Sequence, residues 1–207
     1  MRLSFAKVGL IVLAAIGLAS CSSSSEQPSA GSSAPDQPPV IKADKAFAAS
    51  GNIEMRLSGG DYTIRASTDE HIRVSFEGNT GNAAAELTIS GTGANLSITD
   101  TPHNNFRATV EVPATADLTV HLTGGNLEID RITGNKNIDS TAGNVGITVS
   151  NLNDYGSVDA SVKVGNLDGG PFGSSGSGLA PQLKWSGPGK YTLRASLGAG
   201  NLELKKR

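Results

Sequence analysis

Cysteine is almost missing from this 207-residue chain: Cys21 stands alone. A single cysteine excludes an internal disulfide, so any fold must be held by packing and backbone pairing. Aromatic residues make up 4% of the chain, with Trp185 the one tryptophan, which leaves little to build the stacking platforms of a sugar-processing cleft. Charged residues are sparse at 17%, and no basic stripe runs through them. The Lys205-Lys206-Arg207 run reads as a solvated end, and nucleic acid is not an expected partner. The histidines His71, His103 and His121 lie in separate segments without ligand spacing, so zinc is unsupported. The glycine-rich stretch from Gly169 to Gly178 contains neither a phosphate-binding loop nor a nucleophile elbow and reads as a loop. The dense Gly-Gly-x-Gly-x-Asp repeat of calcium-binding β-rolls is also lacking. No cofactor and no metal are predicted.

The N-terminus is more informative. Arg2 and Lys7 give a positive start, Val8 to Leu18 is an unbroken run of apolar residues and glycine, and Leu18-Ala19-Ser20 leads into Cys21. This is the layout of a secretory signal whose apolar part is short for a bilayer span. Leu-Ala-Ser-Cys resembles the lipobox of bacterial lipoproteins. That resemblance implies a signal peptide over 1–20, cleavage after Ser20, and lipidation of the Cys21 sulfur. Each buried methylene contributes roughly 0.8 kcal/mol, so anchoring by several acyl chains would be durable. Residues 21–40 then form a Ser/Pro-rich tether after the lipidated cysteine, with a composition too polar to nucleate a core. The expected location is a membrane surface outside the cytoplasm. Ser22 resembles the sorting position of outer-membrane lipoproteins, if the source has two membranes. Removing Arg2 and Lys7 from 17 basic residues against 19 acidic ones leaves the exported part at a formal charge of −4.

Residues 41–207 alternate with period two almost throughout. Ile53, Met55 and Leu57 alternate with Glu54, Arg56 and Ser58; Leu118, Val120 and Leu122 alternate with Thr119, His121 and Thr123. Ile72/Val74/Phe76, Leu127/Ile129, Val145/Ile147 and Leu202/Leu204 follow the same rule. Alternation puts one set of side chains on a buried face and the other in solvent, so the domain is predicted to be all-β. Within it a unit recurs. Gly124-Gly125-Asn126-Leu127-Glu128-Ile129 is echoed by Ala142-Gly143-Asn144-Val145-Gly146-Ile147, by Val164-Gly165-Asn166-Leu167-Asp168, and by Ala199-Gly200-Asn201-Leu202-Glu203-Leu204. Gly59-Gly60-Asp61-Tyr62-Thr63-Ile64 is an earlier relative. Gly and Asn tolerate left-handed backbone angles, so each unit reads as a turn opening a short strand. Stacked units of this kind predict a β-solenoid or parallel β-helix. The spacing from Gly125 to Gly143, Gly165 and Gly200 is 18, 22 and 35 residues, which points to coils carrying loops of unequal length. Asn126, Asn144, Asn166 and Asn201 would form a ladder of amides if the coils aligned; the uneven spacing favours a turn role alone.

The segment Val110-Glu-Val-Pro-Ala-Thr-Ala-Asp-Leu-Thr-Val120, followed by the Gly-Asn units, resembles the bacterial "putative adhesin" β-strand repeat family (the DUF4097 type). The likeness spans about Gly51 to Leu204, and departs from the family in using Asn where many members carry Asp and in the insert from Leu167 to Pro188. It implies a cell-envelope β-solenoid, with adhesion only an analogy. The expected function is a membrane-anchored lipoprotein displaying a non-catalytic β-surface as a binding or structural module. Its partners would be the membrane, through the lipid, and an envelope protein or glycan. Outward residues such as Thr119, His121, Thr123, Glu128 and Asp130 would make the contacts, although none is singled out as a site beyond Cys21. Two alternatives remain: a β-helix enzyme acting on polysaccharide through carboxylates drawn from Glu128, Asp130, Asp139 and Asp159, and an envelope-stress accessory protein. A deep groove with clustered acids would favour the enzyme, and a flat polar face the binding module.

Overall fold

A computed structural model describes residues 38–206. The expected signal peptide, Cys21 and most of the expected tether lie outside the described residues. Fourteen strands follow in chain order: β1 (Val40–Ala46), β2 (Asn52–Leu57), β3 (Gly60–Ala66), β4 (His71–Gly78), β5 (Ala84–Ser90), β6 (Gly93–Thr99), β7 (Phe106–Val112), β8 (Asp117–Leu122), β9 (Gly125–Asp130), β10 (Lys136–Val149), β11 (Tyr155–Asp168), β12 (Ser175–Leu179), β13 (Gln182–Ser186) and β14 (Tyr191–Lys206). Two single-turn 3₁₀ segments, Leu152–Asp154 and Gly170–Phe172, complete the described elements. The all-β expectation holds.

The repeated unit is a bent rung. In β10, β11 and β14 one long strand passes through a glycine corner; β2–β3 and β8–β9 do the same with a break at the bend. Five rungs stack in parallel, with Gly60, Gly125, Gly143, Gly200 and Gly165 aligned corner on corner. A sixth, β6 and β7, lies beside β2–β3. Call the part before the corner the first arm and the part after it the second. Antiparallel strands flank the stack: β5 on β6, β4 on β7 and β1 on β4 at one end, β13 and β12 on the two arms of β11 at the other.

Corner chemistry explains why one core can serve both arms. Leu57 and Tyr62, Leu122 and Leu127, Val162 and Leu167, and Leu197 and Leu202 all point inward, yet each pair is five residues apart. An odd step along regular strand would turn the second arm's apolar set out to water. The corner glycines absorb the change with φ of +149° at Gly60, +110° at Gly125, +125° at Gly143, +141° at Gly165 and +131° at Gly200. A β-carbon on any of the last four would overlap the backbone of the neighbouring corner glycine. Both arms therefore bury their apolar faces in a single cluster, with Leu127, Val145 and Leu202 each at most 2% exposed.

The β-solenoid expectation needs correction in its winding. Coils of a solenoid lie in chain order, whereas here the β6–β7 rung sits outside β2–β3, and β14 lies between β10 and β11. For β14 the reason is visible in the insert from Leu167 to Pro188. It folds back as β12 and β13 against the outer edge of β11, so β14 enters on the other side of that strand.

Candidate outward binding faces

Alternation fixes what each arm shows to solvent. On the first arm, Glu54 of β2, Thr119 of β8, Asn137 of β10, Arg194 of β14 and Asp159 of β11 stand in register across five strands. Arg56, His121, Asp139 and Ser196 form the adjacent row. Two open troughs cross these rows, one of about 390 Å³ along Arg56, His121 and Asp139, the other of about 360 Å³ along Thr119, Asn137, Asp159 and Arg194.

The second arm carries a different pattern immediately after the corner. Nδ2 of Asn166 donates to Oδ1 of Asn201 (2.8 Å), Asn201 donates to Asn144 (2.7 Å), Asn144 to Asn126 (2.7 Å), and Asn126 to the carboxylate of Asp61 (2.6 Å). All five side chains are exposed. The amide ladder therefore exists, against the expectation of a turn role alone. Uneven loop lengths between rungs do not disturb it, because each glycine pairs with a glycine and so each following asparagine faces an asparagine. Beside the ladder lies a groove of about 560 Å³, lined by Asp61, Asn126, Asn144 and Asn201 on one flank and by Glu128, Glu203 and Lys205 on the other. Gly146 makes room for the opposite flank: the Glu128 carboxylate lies over it, where a β-carbon would collide with it, and so leans across β10 to accept from Lys205 Nζ at 3.3 Å. Burial works against the Lys205 charge, but Glu128 and Glu203 outweigh it and hold its pKa above the usual lysine value.

Further along the second arm an ion ladder crosses four strands. Arg65 of β3 donates to Glu111 of β7 (2.8 Å), Arg73 of β4 donates to the other Glu111 oxygen (2.8 Å), and Arg73 donates to Asp44 of β1 (3.0 Å). Partial burial pushes Glu111 up, yet the hydrogen bonds from Arg73 and Arg65 prevail and hold its carboxyl below the ordinary range. Hydrogen bonds from His71 and Arg73 likewise lower Asp44. Nothing in the period-two pattern announced this network, since cross-strand partners depend on strand order.

The two arms divide the residues expected to make contacts. Thr119, His121 and Thr123 belong to the first arm, Glu128 and Asp130 to the second. The four carboxylates considered for acid–base work are divided as well: Glu128 and Asp130 follow the corner, while Asp139 and Asp159 precede it. Among the described residues, no group of three or more His, Cys, Asp or Glu side chains is placed to hold a metal ion. Also among them, no helix is long and apolar enough to cross a membrane.

Inside the core sits a residue the alternation pattern did not flag. Lys136 occupies the inward position two before Ile138 and is 2% exposed. Its Nζ donates to the Tyr155 hydroxyl (2.6 Å) and to the Gly134 carbonyl (3.1 Å). Burial pulls its pKa down to about 7, against the opposing pull of Asp117 and Asp154. The same burial raises Tyr155.

A solved structure shares this fold. A structure from Clostridium sporogenes described as a "putative cell adhesion protein" superposes with a TM-score of 0.54 at 14% identity, over 82% of this chain and 100% of that one. Two structures described as "putative adhesin" also match, one from Parabacteroides distasonis (TM-score 0.23, 16% identity, 54% and 53% covered), the other from Bacteroides fragilis (TM-score 0.26, 9% identity, 82% and 98% covered). No family model and no curated protein matches the sequence. At such identities the Clostridium likeness concerns the fold alone. It brings no site residue with it.

Proposed function

We propose that this chain is a lipid-anchored module of the bacterial envelope that binds through its outward sheet faces without catalysing a reaction, and that it belongs to the DUF4097-type family. The observation carrying this reading is the pair of polar faces described above. Hydrogen-bonding side chains stand in register across at least five strands on each arm, over a core that fixes their backbone. Such a surface offers many weak, regularly spaced contacts to an extended or repetitive partner. The four carboxylates considered for acid–base work, Glu128, Asp130, Asp139 and Asp159, are divided between the two arms instead of converging on one scissile bond. The Leu-Ala-Ser-Cys segment and the Ser/Pro-rich stretch after it supply the anchor and the reach.

The test compares wild type with Cys21→Ser in intact cells. The wild type should incorporate labelled fatty acid and partition with membranes, whereas Cys21→Ser should lose the label and leave the membrane fraction. A variant that stays membrane-bound and uncleaved would show that the apolar segment is a retained helix and would overturn the anchoring mechanism. Crosslinking from the same envelopes addresses the envelope-stress alternative, which predicts one integral membrane protein as the dominant adduct.

A further inference from the structure

The Asp61–Asn166 ladder has hydrogen-bonding capacity left over, and that capacity has a definite chemistry. Each carboxamide offers two N–H donors and an oxygen with two lone pairs. Within the ladder every asparagine spends one N–H, while Asn126, Asn144 and Asn201 also spend one lone pair. Each of them keeps one donor and one acceptor for an outside partner. All are exposed, and Asn126, Asn144 and Asn201 line the groove of about 560 Å³. The comb repeats at the strand spacing of about 4.8 Å, so the five rungs present a row of roughly 19 Å.

From this geometry we infer that the second-arm groove is a binding site for an extended, uncharged polyhydroxylated chain, a glycan, lying along the stacking axis with its hydroxyls on the asparagine ladder. A hydroxyl both donates and accepts, which complements an amide's spare N–H and lone pair at each step. An anionic polymer is disfavoured because Asp61, Glu128 and Glu203 all border the groove, with Lys205 already engaged by Glu128. An extended peptide is disfavoured by its repeat: its residues advance about 3.3 Å each and drift out of phase with the rungs. The groove between the ladder and the Glu128–Lys205 flank, about 560 Å³, gives a sugar ring room. Aromatic stacking plays no part, so affinity comes from the number of steps engaged and should grow with chain length.

The inference rests on the binding-module reading above, and its experiment is separable from the test of that reading. Chitohexaose is titrated into ¹⁵N-labelled full chain held in a detergent without a sugar headgroup, and the side-chain amide resonances are followed. Shifts should appear at Asn126, Asn144 and Asn201, and the disaccharide should bind far more weakly. Asn144→Leu, which breaks the ladder in its middle, should weaken binding roughly tenfold through the loss of two or more hydrogen bonds. Asn166→Ala, at the ladder's end, should weaken it less. Absence of shifts, a shift confined to the first-arm amide of Asn137, or a response to oligogalacturonate but not to chitohexaose would overturn the inference. If Asn144→Leu fails to fold, the wild-type shifts decide alone. Failure of this titration leaves the membrane-anchoring experiment untouched, and retention of Cys21→Ser in the membrane does not bear on where a glycan binds.

Discussion

Lys136→Met should make the protein more stable near neutrality and less stable in mild alkali, with the two stability curves crossing between. The lysine is buried with its amine between the Tyr155 hydroxyl and the Gly134 carbonyl, and its pKa falls from 10.5 to about 7. Below pH 7 both folded and unfolded chains hold the proton, and stability carries the full cost of burying an ammonium. Between about pH 7 and 10.5 the unfolded chain retains a proton that the folded chain has released, so wild-type stability rises with pH. The displacement corresponds to a ceiling of about 4–5 kcal/mol. Methionine removes this dependence but leaves the Tyr155 hydroxyl unpaired, at about 1–3 kcal/mol. The expected net effect is a gain of about 2 kcal/mol at pH 6 and a loss of about 1–2 kcal/mol at pH 10. Urea unfolding at pH 6, 8 and 10 checks it; parallel curves for the two proteins would show that the amine is not the titrating group. Tyr155, whose own pKa is raised by burial, bends the wild-type curve down again above pH 10, because only the unfolded phenol then ionises. At the acid end Asp44 and Glu111, both lowered, contribute stability that disappears as pH falls through their folded values.

Gly143→Ala should be among the most damaging single-methyl additions in the molecule. At φ +125° an L side chain is strained whatever space surrounds it, and the added methyl would overlap the backbone of Gly125. Gly200 sits on the other side of the same corner, so moving the strand to relieve one clash disturbs the other. Backbone strain alone costs about 1–3 kcal/mol, and with the clash the loss should reach about 3 kcal/mol or more. Gly91→Ala is the matched control. Its φ of +58° is also positive, but nothing lies within 4 Å of the added carbon, so its cost should stay near 1 kcal/mol. Thermal or urea unfolding separates the two, and equal losses would mean that corner stacking adds nothing beyond local strain.

Much of the fold was legible because alternation is local. Nearly every inward residue of the period-two pattern, from Ile53 to Leu204, is buried; Ile89 is only partly so, and Val164, next to the Gly165 corner, is exposed. The glycine-asparagine units also marked the bends correctly. What could not be read was the order in which bends stack, since that depends on where β12 and β13 fold back, and nothing in the period of a strand encodes its neighbour. The asparagine ladder was undervalued for a related reason. Spacing along the chain measures the loops, whereas the ladder depends on register at the corners. Lys136 was hidden by its type: a lysine in an inward position reads as a break in the pattern until Tyr155 is seen beside it. The ion ladder through Arg65, Glu111, Arg73 and Asp44 joins four strands distant in sequence, and it becomes visible only when their adjacency is known.

The odd-numbered step across each bend also constrains how such a chain can change over evolutionary time. Deleting one residue inside a rung would turn half of its side chains inside out, so indels there should be purged. Loops between rungs are free to vary, as the intervals separating Gly125, Gly143, Gly165 and Gly200 already show. Growth should therefore proceed by duplication of whole modules, each arriving with its own hinge glycine and its own asparagine, so that lengthening the protein would also lengthen the row of amides along its side.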